Sequence, residues 1–174
     1  MNSDVLLLAA QAFVDALGLP ASEGTSDTPA RVARMWQKEL CSGLTFDAAE
    51  CLSRTFPAGN YKGPVVVRDI PFYSTCEHHL LPFWGTATVG YVPDSRIVGL
   101  SKLARLVDGL ARQPQTQEAL TSRIVDALRL LSPDGIAVRL RAEHLCMSMR
   151  GIQARGAVTT TIHREGETIC LDSP

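Results

Sequence analysis

Apolar residues at Leu6, Ala10, Phe13, Val14 and Leu17 recur at helical spacing and are followed by Gly18, which predicts a helix closed by a glycine. Thr28 and Pro29 read as an N-cap and first helical residue of a second helix, through Val32, Met35 and Trp36, that stops near Gly43. From Val65 the texture changes. Val65, Val66, Val67, Ile70, Phe72 and Tyr73 are strand formers, and over residues 85–92 Ala87, Val89 and Tyr91 alternate with Thr86, Thr88 and Gly90. Leu103, Leu106, Val107 and Leu110 then mark a helix that Ser101 is placed to cap, and Leu120, Ile124, Ala127, Leu128 and Leu131 mark another. Two more strands follow, over 136–145 and 158–162, the first after a Ser132-Pro133-Asp134-Gly135 turn. Loops fall at 18–27, 57–64, 113–115 and 132–135. The order of helices, two strands, two helices and two strands predicts an α+β fold with helices on one face of an antiparallel sheet. It divides into an N-terminal helical region over 1–60 and a single strand-and-helix unit over 61–174.

The 174 residues are 45% hydrophobic and 20% charged, the composition of one ordinary globular unit able to bury a core without staples. With 17 basic and 18 acidic side chains the net charge is −1, so no bulk attraction to nucleic acid or to an acidic membrane is expected. Any anion site must be a local cluster. The apolar run Val5 to Ala10 lacks a preceding Lys or Arg, and no run approaches the ~18 residues needed to span a bilayer. These features predict a cytoplasmic protein, in which the five cysteines are reduced.

The densest reactive cluster is Cys76-Glu77-His78-His79 at the end of the first strand. A C-x-x-H spacing lets a thiolate and an imidazole reach one metal, and sulfur with nitrogen suits zinc. His144-Leu145-Cys146 forms a second cluster, in which strand alternation sends His144 and Cys146 to one face. Cys76, His79 and Cys146 then make three ligands, leaving a fourth position for water as in catalytic zinc sites, while His78 and His144 remain to move protons. A buried thiol and a capped histidine are also ordinary core features. A closed structural site, with Cys41, Cys51 or Cys170 as fourth ligand, is the other metal reading.

Lys102 with Arg105, and Arg31 with Arg34, sit in the first turns of helices, where the dipole is already positive. Such placement suits a bound phosphate, although a solvated basic face has the same pattern. Arg150 adds a guanidinium just beyond Cys146. Glu118 opens the second long helix, either as a plain first-turn acid or as a bidentate acceptor for the N1–H and amine of a guanine.

Taken together, Thr28-Pro29 with Arg31, Arg34 and Met35, Ser74 through His79, Gly99 through Arg105, Gln113 through Glu118, His144 through Gly151 and Thr159 through Thr161 resemble the GTP cyclohydrolase I family over about residues 25 to 162. The resemblance implies a T-fold and zinc on Cys76, His79 and Cys146. It implies His78 and His144 as the acid–base pair, with Ser101 nearby. Glu118 becomes the guanine anchor, with Gln117 beside it on the substrate. Ser101, Lys102, Arg105 and Arg150 hold the triphosphate, joined by Arg31 and Arg34 from a neighbouring subunit of a homodecamer of two stacked pentamers. The implied reaction converts GTP and water to 7,8-dihydroneopterin triphosphate and formate, with His144 protonating N7. After Thr161 only thirteen residues follow, without the amphipathic pattern of the family's C-terminal helix. Three alternatives stay open: a related cyclohydrolase of a specialised pathway, an inactive purine-nucleotide-binding paralogue, and an interaction module stapled by a closed zinc site.

Overall fold

The computed structural model describes residues 2–20 and 22–172; residue 21, within the loop expected over 18–27, lies outside them. The chain forms two compact units, Met1–Ser42 and Gly43–Pro174. Residues 43–60, grouped by the sequence with the helical region, belong to the second.

In the first unit α1 spans Ser3–Ala16, opened by the Asn2 carbonyl oxygen of its side chain accepting from Asp4 N at 3.1 Å and Val5 N at 3.2 Å. Gly18, at φ +65°, supplies the left-handed residue beyond its end. Helix α2 spans Thr28–Met35 and passes into a π-helical turn, Trp36–Leu40. Its N-cap is Asp27, one residue earlier than the sequence pattern places it, and Thr28 is already helical.

The second unit carries α3 (Ala48–Leu52), β1 (Thr55–Pro57), β2 (Val65–Cys76), β3 (Pro82–Val92), β4 (Arg96–Val98), α4 (Leu100–Ala111), β5 (Pro114–Gln115), α5 (Gln117–Arg129), β6 (Gly135–His144), α6 (Leu145–Ser148) and β7 (Val158–Gly166). Five strands form one sheet in the order β5-β2-β3-β6-β7, antiparallel except for the short parallel β5–β2 rung. Strands β1 and β4 pair separately. These three short strands escape the sequence pattern because two or three residues carry no period.

One sheet face is apolar because the register aligns its odd and even positions: Ala87 faces Leu140, Val89 faces Val138 and Tyr91 faces Ile136. Helices α4 and α5 cover that face with Leu103, Leu106, Leu110, Leu120, Ile124 and Leu128, all buried in one core cluster. Each such side chain contributes roughly 1.5–3 kcal/mol relative to exposure. The α+β class expected from the chain order is therefore the observed one. On the opposite face Val92, Ala137, Ile169 and Leu171 make a smaller cluster. The segment after β7 reaches it without helix, and Arg139 fixes it by donating to Leu171 O at 2.9 Å.

Ser74 ties β2 to the end of α4 by donating to Ala111 O at 2.7 Å, and Gln115 donates to Leu110 O at 2.7 Å. These bonds set the C-terminal end of β2 beside the segment that leads into α5, and the Phe83–His144 rung brings the end of β6 to the same side.

Candidate active site

Strand β2 ends at Cys76, and the chain turns over residues 77–81 into β3. Cys76 N donates to Leu81 O and Leu80 N to Cys76 O, both at 2.8 Å, with Leu80 at φ 55°. This tight turn presents His78 and His79, both exposed, beside the buried Cys76 thiol. Both imidazoles approach the sulfur, His78 Nδ1 at 3.8 Å and His79 Nδ1 at 3.9 Å. The triplet whose donor atoms all lie within 4.8 Å of one another is Cys76, His79 and Cys146.

Cys146 arrives differently from the expected strand alternation. Phe83 opposite His144 is the last rung between β3 and β6; beyond it the strand has no partner, and the chain coils into α6. Cys146 lies in this turn, so His144 and Cys146 meet across a strand-to-helix corner. Burial, followed by the neighbouring Cys76, pushes the Cys146 thiol up, while Arg150 pulls it down. Two such thiols side by side gain from a cation that takes both as thiolates. A thiolate and an imidazole on one tetrahedral zinc stand about 3.5 Å apart, and Cys76 Sγ lies 3.9 Å from His79 Nδ1, a few tenths of an ångström wider. The donor set fits the metal.

Cys76 and Cys146 also line a cavity of 130 Å³ with His78, Phe83, Gln115, Thr116, Gln117, Glu118 and His144. His144 is half-buried, and burial lowers its pKa, with the Glu118 carboxylate opposing. Its Nε2 lies 2.8 Å from Gln117 Oε1, and its ring stacks on Phe83. Gln117 was expected on the substrate, yet it is 1% exposed and its amide is occupied within the protein. Glu118, by contrast, is exposed in the first turn of α5, which Thr116 caps by accepting from Ala119 N at 3.1 Å. Phe83, Gln115 and Thr116 escaped the sequence reading because none carries reactive chemistry; only cross-strand register and a helix cap bring them here.

The expected phosphate ligands are dispersed within a single chain. Lys102 and Arg105 line a separate cleft of 390 Å³ with Phe46, Asp47, Glu50, Cys51, Asp108 and Gly109. Ser101 is exposed inside α4, and the cap position it was expected to fill belongs to Gly99. Arg150 donates from Nη1 to His79 Nε2 at 2.9 Å, which puts its guanidinium against the metal triplet. Arg31 and Arg34 are exposed on α2 in the first unit, Arg31 paired with Asp27 at 3.5 Å.

A sheet backed by two helices, with a Cys–His–Cys triplet that could hold a metal at one end beside a histidine and a carboxylate, defines an enzyme architecture of the α+β class. The family model described as GTP cyclohydrolase I matches residues 9–169. The chain belongs to the GTP cyclohydrolase I family. Among its relatives, GTP cyclohydrolase 1 of Mycolicibacterium vanbaalenii is 55% identical over 151 residues, covering 85% of this chain and 74% of that one. GTP cyclohydrolase 1 of Carboxydothermus hydrogenoformans is 47% identical over 164 residues, covering 92% and 84%. A crystal structure of the archaeosine synthase QueF-Like in the apo form superposes with a TM-score of 0.49 at 13% identity, covering 63% of this chain and 100% of that one.

Proposed function

We infer that this chain is a GTP cyclohydrolase I, converting GTP and water to 7,8-dihydroneopterin triphosphate and formate. The observation that carries the reading is the close Cys76, His79 and Cys146 triplet, whose two thiols line one cavity with His144 and Glu118, in a member of this family. Zinc held by Cys76, His79 and Cys146 supplies Lewis acidity that brings the pKa of water down toward ~7.

The chain's own residues do the rest. Glu118 accepts the guanine N1–H and exocyclic amine, fixing C8 of the purine toward the thiols. His144 delivers a proton to N7 as water adds at C8, and the imidazole ring opens to a formamide. Hydrolysis of the formyl group releases formate. His78, at the open rim, moves protons at the ribose as it opens and rearranges, with Ser101 nearby. Arg150 holds the triphosphate beside the thiols, and Lys102, Arg105, Arg31 and Arg34, dispersed from it within one chain, reach it from neighbouring copies in the assembly; this remote binding energy orients the reacting base.

The same reading makes the enzyme a cytoplasmic homodecamer of two stacked pentamers. Its support is the sheet: among the described residues β7 is paired on one side only, and β2 meets β5 only at Thr75 and Cys76. Such edges call for closure against a second copy. All five cysteines are free thiols, and among the described residues no helix is long and apolar enough to cross a membrane.

Purified zinc-loaded protein given GTP should release formate together with a pterin that fluoresces on oxidation. The His144→Ala protein should retain metal and lose roughly 10²–10⁴ of the ring-opening rate. Absence of formate from the wild type would refute the reading, and near-normal turnover of His144→Ala would remove His144 from it.

A further inference from the structure

Gln117 is almost wholly buried at the start of α5, directly behind His144. Its side-chain nitrogen lies 3.3 Å from Leu140 O, 3.2 Å from Thr159 O and 3.1 Å from Thr161 Oγ1. Two of these partners are backbone carbonyls, which only accept. The opposite amide orientation would set oxygen against two carbonyl oxygens, so the NH₂ end must face them.

The hydroxyls behind it have assigned directions as well. Thr121 Oγ1 donates to Gln117 O at 2.9 Å, which spends its only proton. In its 2.7 Å contact with Thr161 Oγ1, Thr121 must therefore accept. Thr161 donates there and accepts from Gln117. Every donor in the chain Gln117, Thr161 and Thr121 is thus committed, and such chains strengthen each other in a low-dielectric interior.

What remains of Gln117 is Oε1, 2.8 Å from His144 Nε2. An amide oxygen only accepts, so Nε2 must carry a proton. We propose that Gln117 is a positioning residue that locks His144 in the Nε2–H tautomer, leaving Nδ1 as the one ring atom through which His144 exchanges a proton with substrate. The Phe83 stack fixes the ring plane, and Gln117 fixes which edge of that plane is which. Because Oε1 accepts from Nε2–H in both the neutral and the protonated ring, the imidazole need not turn or switch tautomer as its second proton comes and goes.

This inference rests on the proposed function for its kinetic consequence, but the tautomer is measurable without substrate. The chain has four histidines, so ¹⁵N-histidine labelling of the zinc-loaded enzyme gives a tractable spectrum, in which the His144 signals are those lost in His144→Ala. At a pH where the ring is neutral, Nε2 should be protonated and Nδ1 should not. Protonation at Nδ1, or an even mixture, overturns the proposal. Gln117→Met removes the acceptor at nearly constant volume. With metal content and the KM for GTP within about threefold of wild type, its kcat should fall roughly tenfold or more and its His144 tautomers should mix. Full kcat with an unchanged tautomer in that variant also overturns it. The wild-type spectrum decides by itself where the variant fails to fold. A wild-type enzyme that releases no formate defeats the assigned reaction and leaves the tautomer result standing.

Discussion

The imidazole of His144 lies flat on the ring of Phe83, centroids 4.6 Å apart and planes 2° from parallel. The two are cross-strand partners on the last rung between β3 and β6, so sheet register itself delivers the histidine in one orientation. Phe83 is fully buried and braced in turn by an edge contact with Phe72. An aromatic pair is worth ~0.5–1.5 kcal/mol beyond burial. Phe83→Leu should therefore keep the fold and metal content but lower kcat by roughly three- to tenfold. Steady-state kinetics on metal-loaded protein check this, and an unchanged kcat would mean the stack does not hold the ring for chemistry.

Lys102 and Arg105 share a cleft with Asp47, Glu50 and Asp108, and are assigned here to the triphosphate. Charge-assisted bonds to phosphate are worth ~1.5–3 kcal/mol each. Lys102→Ala or Arg105→Ala should weaken GTP binding by roughly 10- to 150-fold while leaving guanosine binding within about twofold. Calorimetric titration with each ligand separates the two. Equal losses for both would place these cations elsewhere than on phosphate.

Gly109 stands inside α4, where alanine is favoured by ~1 kcal/mol on helix propensity. A Cβ there would come within 2.4 Å of Phe46 ring atoms, an overlap that a rigid ring does not absorb. Overpacking of this kind costs ~1–3 kcal/mol, so Gly109→Ala should be net destabilising. Its midpoint in urea should fall, and a rise would show that Phe46 moves freely.

Glu165 on β7 accepts from Arg129 Nε at 3.0 Å and Nη2 at 2.6 Å, and lies 3.2 Å from His163 Nε2. Chiefly the Arg129 bonds, then His163, hold its carboxyl down from 4.5 to about 2. A folded-state pKa below the unfolded one adds stability that is fully present above pH 4.5 and disappears as pH falls toward 2. Glu165→Gln should accordingly melt below wild type at pH 7, with the gap closing as pH falls through that window. A gap independent of pH would dissociate the ion pair from α5–β7 docking.

Much of this was legible in the chain itself. The Cys76 to His79 cluster, the His144 and Cys146 pair and the period of the two long helices are local signals, and local signals survive in sequence. What was not legible depends on non-local geometry. Cys146 leaves the strand because the β3–β6 ladder ends at the Phe83–His144 rung and gives the residues beyond His144 no partner, a fact of pairing rather than of composition. Gln117 resembles a substrate ligand by its place beside Glu118, and only the carbonyls of Leu140 and Thr159 reveal that its amide turns inward. Likewise the first-turn cations Lys102 and Arg105 read as a phosphate cluster, and only the packing of α4 shows that their cleft is separate from the thiols.

If one metal on Cys76, His79 and Cys146 drives the cyclohydrolase reaction, titration of chelator-stripped protein with zinc reads it out. Formate release from GTP should rise linearly and level off at one equivalent per chain, and Cys146→Ala should neither retain zinc through gel filtration nor gain activity. Full activity of the stripped protein, or a Cys146→Ala protein that still carries one zinc and turns over GTP normally, would mean that these three residues do not hold a catalytic metal.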